Sequence, residues 1–303
     1  MVNWFIYILF AIIILFLVYL FGGRENIQFN KLILDEDYLF FENDQGKTAY
    51  YSKGKNESEP LIIIHGVSVP SYYYKKIAND LSQIGYKVYV YDHFGRGFSD
   101  RPKIKYNMQD YQKQLDDFID HLSIEKITLL GVSMGGALAS NYAARNPDRI
   151  KSLLLNVPFV GSQTIGLAKF VSIPIVWDFY LRFFIINKLV KRGDDLTENE
   201  QNSDHFINQF NVIGTENAFS SLMKNFVKHD FYNDYKLIND YKIPVQITYA
   251  VDDEDVPIDS ILKAIELVPT AITFSFKGGH NIINSRTEEI ISLINDFKIS
   301  IEN

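Results

Sequence analysis

Short apolar runs alternate with helix-length stretches along most of this chain, and that alternation restricts its fold more than any other feature. Leu61–Ile64 (LIII), Lys87–Tyr91 (KVYVY), Ile127–Val132, Ile150–Asn156, Ile243–Ala250 and Ala271–Phe276 read as strands. Between and after them, Tyr72–Ile84, Gln109–Leu122, Met134–Arg145, Ser260–Leu267 and Thr287–Phe297 read as helices. Near-continuous apolar strands of this length suit burial on both faces. Strands that alternate with helices build a mostly parallel sheet flanked by helices. Tyr38–Glu42 and Thr48–Ser52 add an expected antiparallel pair. The fold class is therefore α/β, with a central sheet between helical layers.

One stretch breaks the rhythm. Phe159 to about Tyr235 has no clear strand and is rich in Phe, Ile, Leu and Trp, with Pro174 as a helix start or kink. It reads as a helical cap, residues 159–235, inserted into a domain of residues 25–303. Such an insertion would lie over the C-terminal edge of the sheet, where open α/β sheets bind ligands. Its apolar content suggests an apolar substrate, although packing against the main domain needs similar residues.

At the other end, Trp4–Phe21 (WFIYILFAIIILFLVYLF) carries no charge, Pro or Gly. As a helix it would extend roughly 27 Å, close to the thickness of a bilayer's hydrocarbon core. Residues 1–24 thus read as a transmembrane anchor ending at Gly22, Gly23 and Arg24. No Lys or Arg precedes the run and no small-x-small cleavage site follows, which argues against a signal peptide. Arg24 and Lys31 downstream place the domain that follows on the cytoplasmic side of a single-pass membrane protein.

With 303 residues, 47% of them hydrophobic, the chain can bury a sizeable core. A formal charge of −7 argues against nucleic acid as a partner. The absence of cysteine removes disulfides, thiolate nucleophiles and thiolate metal sites. No His/Cys cluster has metal-ligand spacing, and the GRG at Gly95–Gly97 is too short for a dinucleotide fingerprint, so neither metal nor organic cofactor is expected.

Chemistry concentrates at Gly131–Gly136 (GVSMGG), which contains G-x-S-x-G. A five-residue pattern is weak by itself. Here an apolar strand, ITLLGV, enters it and a helix-like ALASNYAAR leaves it. A turn that sharp strains the serine backbone, and glycines two residues to either side remove clashing side chains. Ser133 would then be exposed at the start of a helix as a nucleophile. Serine needs a base at neutral pH. Of six histidines, His280 in KGGHNI follows the last strand, where this topology delivers a side chain to the sheet's C-terminal edge. His121 sits in a helix, His205 and His229 in the insertion, and His65 and His93 in earlier loops. A carboxylate after the preceding strand should fix the histidine tautomer, and IPVQITYAVDDEDVP offers Asp252, Asp253, Glu254 and Asp255. Backbone amides of Met134 and, in the HGVSVP loop, Val67 are the expected oxyanion donors.

These landmarks resemble the α/β-hydrolase superfamily over roughly residues 36 to 300. His65-Gly66, Asp92-x-x-Gly95-x-Gly97-x-Ser99, GVSMGG, and the late acid and Gly-Gly-His occur in its order. The family's G-x-x-D-x-x-V-P pattern implies Asp253 as the triad acid, with Ala250 in place of the usual glycine and Asp255 as the alternative. Among subfamilies the chain resembles monoacylglycerol lipases and related carboxylesterases, some of which carry an N-terminal membrane helix. The resemblance implies hydrolysis of a carboxylic ester, lipid or monoacylglycerol, through an acyl-enzyme. A serine nucleophile disfavours the dehalogenases and epoxide hydrolases of this fold, which use Asp. Small soluble esters, thioesters and C–C bonds stay open as substrates, as does a catalytically silent membrane-bound binding module.

Overall fold

The computed structural model describes residues 2–29, 37–161, 173–191, 200–226 and 229–302. The chain opens with helix α1 (Val2–Phe21), followed by strands β1 (Leu39–Glu42), β2 (Lys47–Lys53) and β3 (Glu59–Ile64). Next come α2 (Lys75–Gln83), β4 (Tyr86–Tyr91), α3 (Met108–His121), β5 (Ile127–Val132), α4 (Met134–Arg145) and β6 (Ile150–Asn156). A helical insertion contains α5 (Pro174–Tyr180), a π turn (Leu181–Ile185), α6 (Ile186–Lys191), α7 (Glu200–Gln209), α8 (Thr215–Phe226) and α9 (Phe231–Asp240). The chain closes with β7 (Val245–Ala250), α10 (Ile258–Leu267), β8 (Ile272–Phe276), α11 (Ile282–Ser285) and α12 (Thr287–Glu302).

The eight strands form one sheet in the order β1-β2-β4-β3-β5-β6-β7-β8. β2 runs antiparallel to β1 and β4, and the remaining pairings are parallel. Apolar residues occupy both faces, because side chains of a strand alternate. Ile62, Ile64 and Leu129 face one core while Leu61, Ile63 and Leu130 face the other. Local signals fix the helix ends. At α3, Asn107 accepts the Asp110 amide at 3.0 Å while the Asp110 carboxylate accepts the Asn107 amide at 3.2 Å, a reciprocal capping box.

The expectation of a membrane anchor is overturned. Trp4–Phe21 does fall within helix α1, but among the described residues no helix is long and apolar enough to cross a membrane. The described side chains of Trp4–Phe10 in α1 are exposed. Single-pass membrane localisation and a cytoplasmic orientation fall with it.

The segment after α1 lies on the insertion. Asn26 and Ile27 amides donate to Asn211 O at 2.8 and 2.9 Å, and the Ile213 amide returns a bond to Ile27 O at 3.0 Å. The Glu25 carboxylate accepts from the amides of Gly214 and Glu216 at 3.0 and 2.6 Å, at the start of α8. Arg24 Nε donates to Asn187 Oδ1 at 3.0 Å.

Candidate active site

Ser133 stands between β5 and α4 with φ 55° and ψ −118°. A non-glycine residue rarely adopts this backbone, and such strain persists only where the surroundings impose it. Here they do so by close approach. A Cβ on Gly131 would lie 2.5 Å from Gly135 O, and one on Gly135 would overlap the Ile64 carbonyl at the end of β3. The turn is therefore pressed against the β3 loop. There a Cβ on Gly66 would sit 3.9 Å from Ser133 Oγ. Ser133 O accepts from the Gly136 and Phe159 amides at 2.9 Å each, which ties the turn to the segment after β6.

His280 lies beyond β8 and donates through Nδ1 to Asp253 Oδ2 at 2.7 Å. The Asp253 side chain is fully buried, and its Oδ1 accepts the Asp255 and Val256 amides at 2.8 and 2.9 Å. Both carboxylate oxygens thus hold fixed partners. With Nδ1 as the donor, Nε2 of His280 is left as the acceptor. Asp255 is exposed and gives its amide, not its carboxylate, to this arrangement. Asp252 fastens the two loops, its amide bonding Gly278 O at 3.2 Å and its Oδ2 accepting the Gly278 amide at 3.1 Å. Tyr73 Oη donates to Asn281 Oδ1 at 2.7 Å, which holds the residue after His280.

The structure thus brings Asp253 and His280 into direct contact and sets Ser133 beside Gly66. A hydrogen bond between Ser133 and His280 is not among those of the described residues. In unliganded active sites such bonds are often long and close only around substrate. The amides of Val67 and Met134 have no protein acceptor among the described residues. Met134 opens α4, where helix N–H groups are unpaired by nature.

Asp253, Asp255 and His280 present ligand atoms within 4.8 Å of one another, the single grouping of metal-ligand type among the described residues. Of these groups the Asp253 carboxylate is already engaged by three N–H groups, one of them from His280 Nδ1.

A buried polar layer underlies the β3 loop. His65 is inaccessible to solvent; its Nε2 accepts the His93 amide at 3.0 Å and its Nδ1 donates to Gly66 O at 2.7 Å. Burial pushes its pKa down to about 3 and that of His93 well below the usual range, so both are neutral. Asp92, also inaccessible, accepts the Ser71 and Phe98 amides at 2.7 and 2.9 Å, and burial raises its carboxyl to about 6. Arg96 is buried as well. Burial lowers it to about 10, so it stays charged at neutral pH. The sequence motifs marked this layer's residues, but its bonding pattern is a property of three dimensions.

Residues 59–284 match the family model described as alpha/beta hydrolase fold. A cis-3-alkyl-4-alkyloxetan-2-one decarboxylase of Shewanella oneidensis is 24% identical over 290 residues, covering 87% of this chain and 88% of that protein. A proline iminopeptidase of Lactobacillus helveticus is 25% identical over 279 residues, covering 80% and 90%. A bromoperoxidase structure from Bacillus anthracis superposes with a TM-score of 0.72 at 20% identity, covering 86% of this chain and 99% of that one. These relatives carry different activities, and none of the three supports the narrower likeness to monoacylglycerol lipases.

Proposed function

The chain belongs to the alpha/beta hydrolase family of enzymes, and on that premise we propose that it is a serine hydrolase that cleaves carboxylic esters. The observation that carries this reading is Ser133, a serine at the strained strand-to-helix turn, on the sheet edge that also presents the His280–Asp253 pair. In this reading His280 Nε2 takes the Ser133 proton as Oγ attacks the ester carbonyl, and the Val67 and Met134 amides receive the charge on the carbonyl oxygen. His280 then hands the proton to the departing alcohol, which leaves an acyl-enzyme. Water repeats the sequence, releasing the acid and restoring Ser133. Asp253 holds the imidazole in its tautomer and stabilises the imidazolium. Each oxyanion donor contributes about 3 kcal/mol to the barrier reduction.

For substrate, a lipid ester and a small ester both suit this chemistry. The insertion's apolar content does not by itself point to a lipid, and thioesters and C–C bonds are further members of the smaller class. Trp177, Phe206, Phe210 and Phe219 of the insertion are buried, so packing accounts for much of its apolar content. The first test is a fluorophosphonate probe with peptide mapping. The adduct is expected on Ser133, absent from Ser133→Ala and weakened in His280→Ala, and Ser133→Ala should lose at least ~10⁴ in kcat. Absence of labelling in folded protein overturns the reading. A panel of p-nitrophenyl esters from acetate to dodecanoate then separates small from lipid substrates by kcat/KM.

A further inference from the structure

Three consecutive carbonyl oxygens in the loop after β3 each accept a bond from a side chain. Gly66 O takes His65 Nδ1 at 2.7 Å, Val67 O takes Arg96 Nε at 2.6 Å, and Ser68 O takes Gln209 Nε2 at 3.0 Å. His65 belongs to the sheet's own loops. Gln209 does not: it is the last residue of α7, in the insertion, and is 1% exposed. Its Oε1 also accepts the Gly97 amide at 3.3 Å, so one carboxamide joins the β3 loop to the β4 loop. The insertion covers Arg96 too, with Cζ 3.4 Å from the centroid of the Phe219 ring in α8. Among the described residues no carboxylate pairs with Arg96; its recorded partners are the carbonyls of Val67 and Gly95.

Peptide units are planar, so a carbonyl held at one end fixes the amide at the other and limits its neighbours. The Val67 amide lies in the first of these three units. The two that follow are held by Arg96 under the insertion and by Gln209 within it.

We propose that Gln209 and Arg96 are positioning residues through which the helical insertion sets the Val67 amide as an oxyanion donor. This rests on the serine-hydrolase reading of Ser133. Seating of the insertion and completion of the oxyanion site are then one event.

Gln209→Glu isolates the bond at issue. It keeps the length and the acceptor for Gly97 but loses the N–H that reaches Ser68 O. With p-nitrophenyl butyrate as substrate, kcat should fall about tenfold with KM within about twofold. Affinity for an alkyl trifluoromethyl ketone, whose adduct places an oxyanion at the same point, should fall by the same factor. Arg96→Lys, which keeps the charge and loses the Nε donor, should behave likewise; both side chains are buried, so kcat and ketone affinity are read below each variant's thermal midpoint, where the protein is folded. Wild-type kcat in both variants overturns the proposal, as does a loss of kcat without a parallel loss of ketone affinity. If Ser133→Ala retains turnover, the underlying reading has failed instead. An inactive Ser133→Ala beside unaffected Gln209 and Arg96 variants sinks this inference alone.

Discussion

The sheet and the helical insertion hold their shapes by different means. Around the sheet, position is enforced by exclusion: at the Ser133 turn there is no room for a Cβ on Gly131 or Gly135, and the strand ladders fix the rest. The insertion is joined by polar and aromatic side chains. Arg182 Nε donates to Glu216 Oε2 at 2.5 Å, Lys224 Nζ to Asp178 Oδ1 at 2.6 Å, and Ser220 bonds Asp178 as well. Phe206, Phe210 and Phe219 form a chain of ring contacts at 5.4 Å each. Steric exclusion tolerates almost no change, whereas side-chain joints can be exchanged for others of similar strength.

The contrast breaks most directly at Gly135. Gly135→Ala puts a methyl group into the Ile64 carbonyl and should cost more than ~4 kcal/mol or prevent folding, as measured by urea unfolding. A variant within ~1 kcal/mol of wild type would remove the steric half of the comparison.

Acid should act next, through the sheet's buried histidines. His65 and His93 are neutral when folded, while ordinary histidines of an unfolded chain protonate near pH 6.5. Their contribution is present above about pH 6.5 and is lost as pH falls, because only the unfolded state takes up those protons. Asp92 opposes them. Its raised pKa of about 6 lets the folded state bind a proton first and recover part of the loss. With two groups against one, urea unfolding at pH 5 should show about 2 kcal/mol less stability than at pH 7. Equal stability at the two values would mean the layer under the β3 loop is hydrated.

The smallest effect belongs to the insertion. Asp178→Asn weakens both of its joints yet leaves an acceptor, and should cost about 1 kcal/mol. The buried Trp177 beside it gives a local fluorescence signal. A loss above ~3 kcal/mol would make the insertion as unforgiving as the sheet.

Much of the sheet was legible because burial on both faces leaves few alternatives to apolar strands. α4 begins and ends where the pattern placed it, and no strand limit moved by more than two residues. The antiparallel β1–β2 pair, written in a few buried residues between exposed ones, was legible as well. The four acids after β7 were not separable by type, since what distinguishes Asp253 is burial and three N–H partners. Gln209 carries no local signal at all, because its partners are main-chain atoms 112 and 141 residues away. The N-terminal run shows the opposite failure. Uniform apolarity was a strong local signal that the described helix does not carry across a bilayer.

The strap formed by residues 24–29 bears on how this chain can be shortened. Glu25 supplies acceptors to two amides at the start of α8, and Asn26 and Ile27 bond the loop before it. A version starting at Gly22 sheds the apolar helix and retains every one of these bonds. One starting at Phe29 strips α8 of a terminal cap, a loss of about 1 kcal/mol, in the helix whose Phe219 covers Arg96. Gly22 and Gly23 are therefore the natural place to cut for anyone preparing the enzyme.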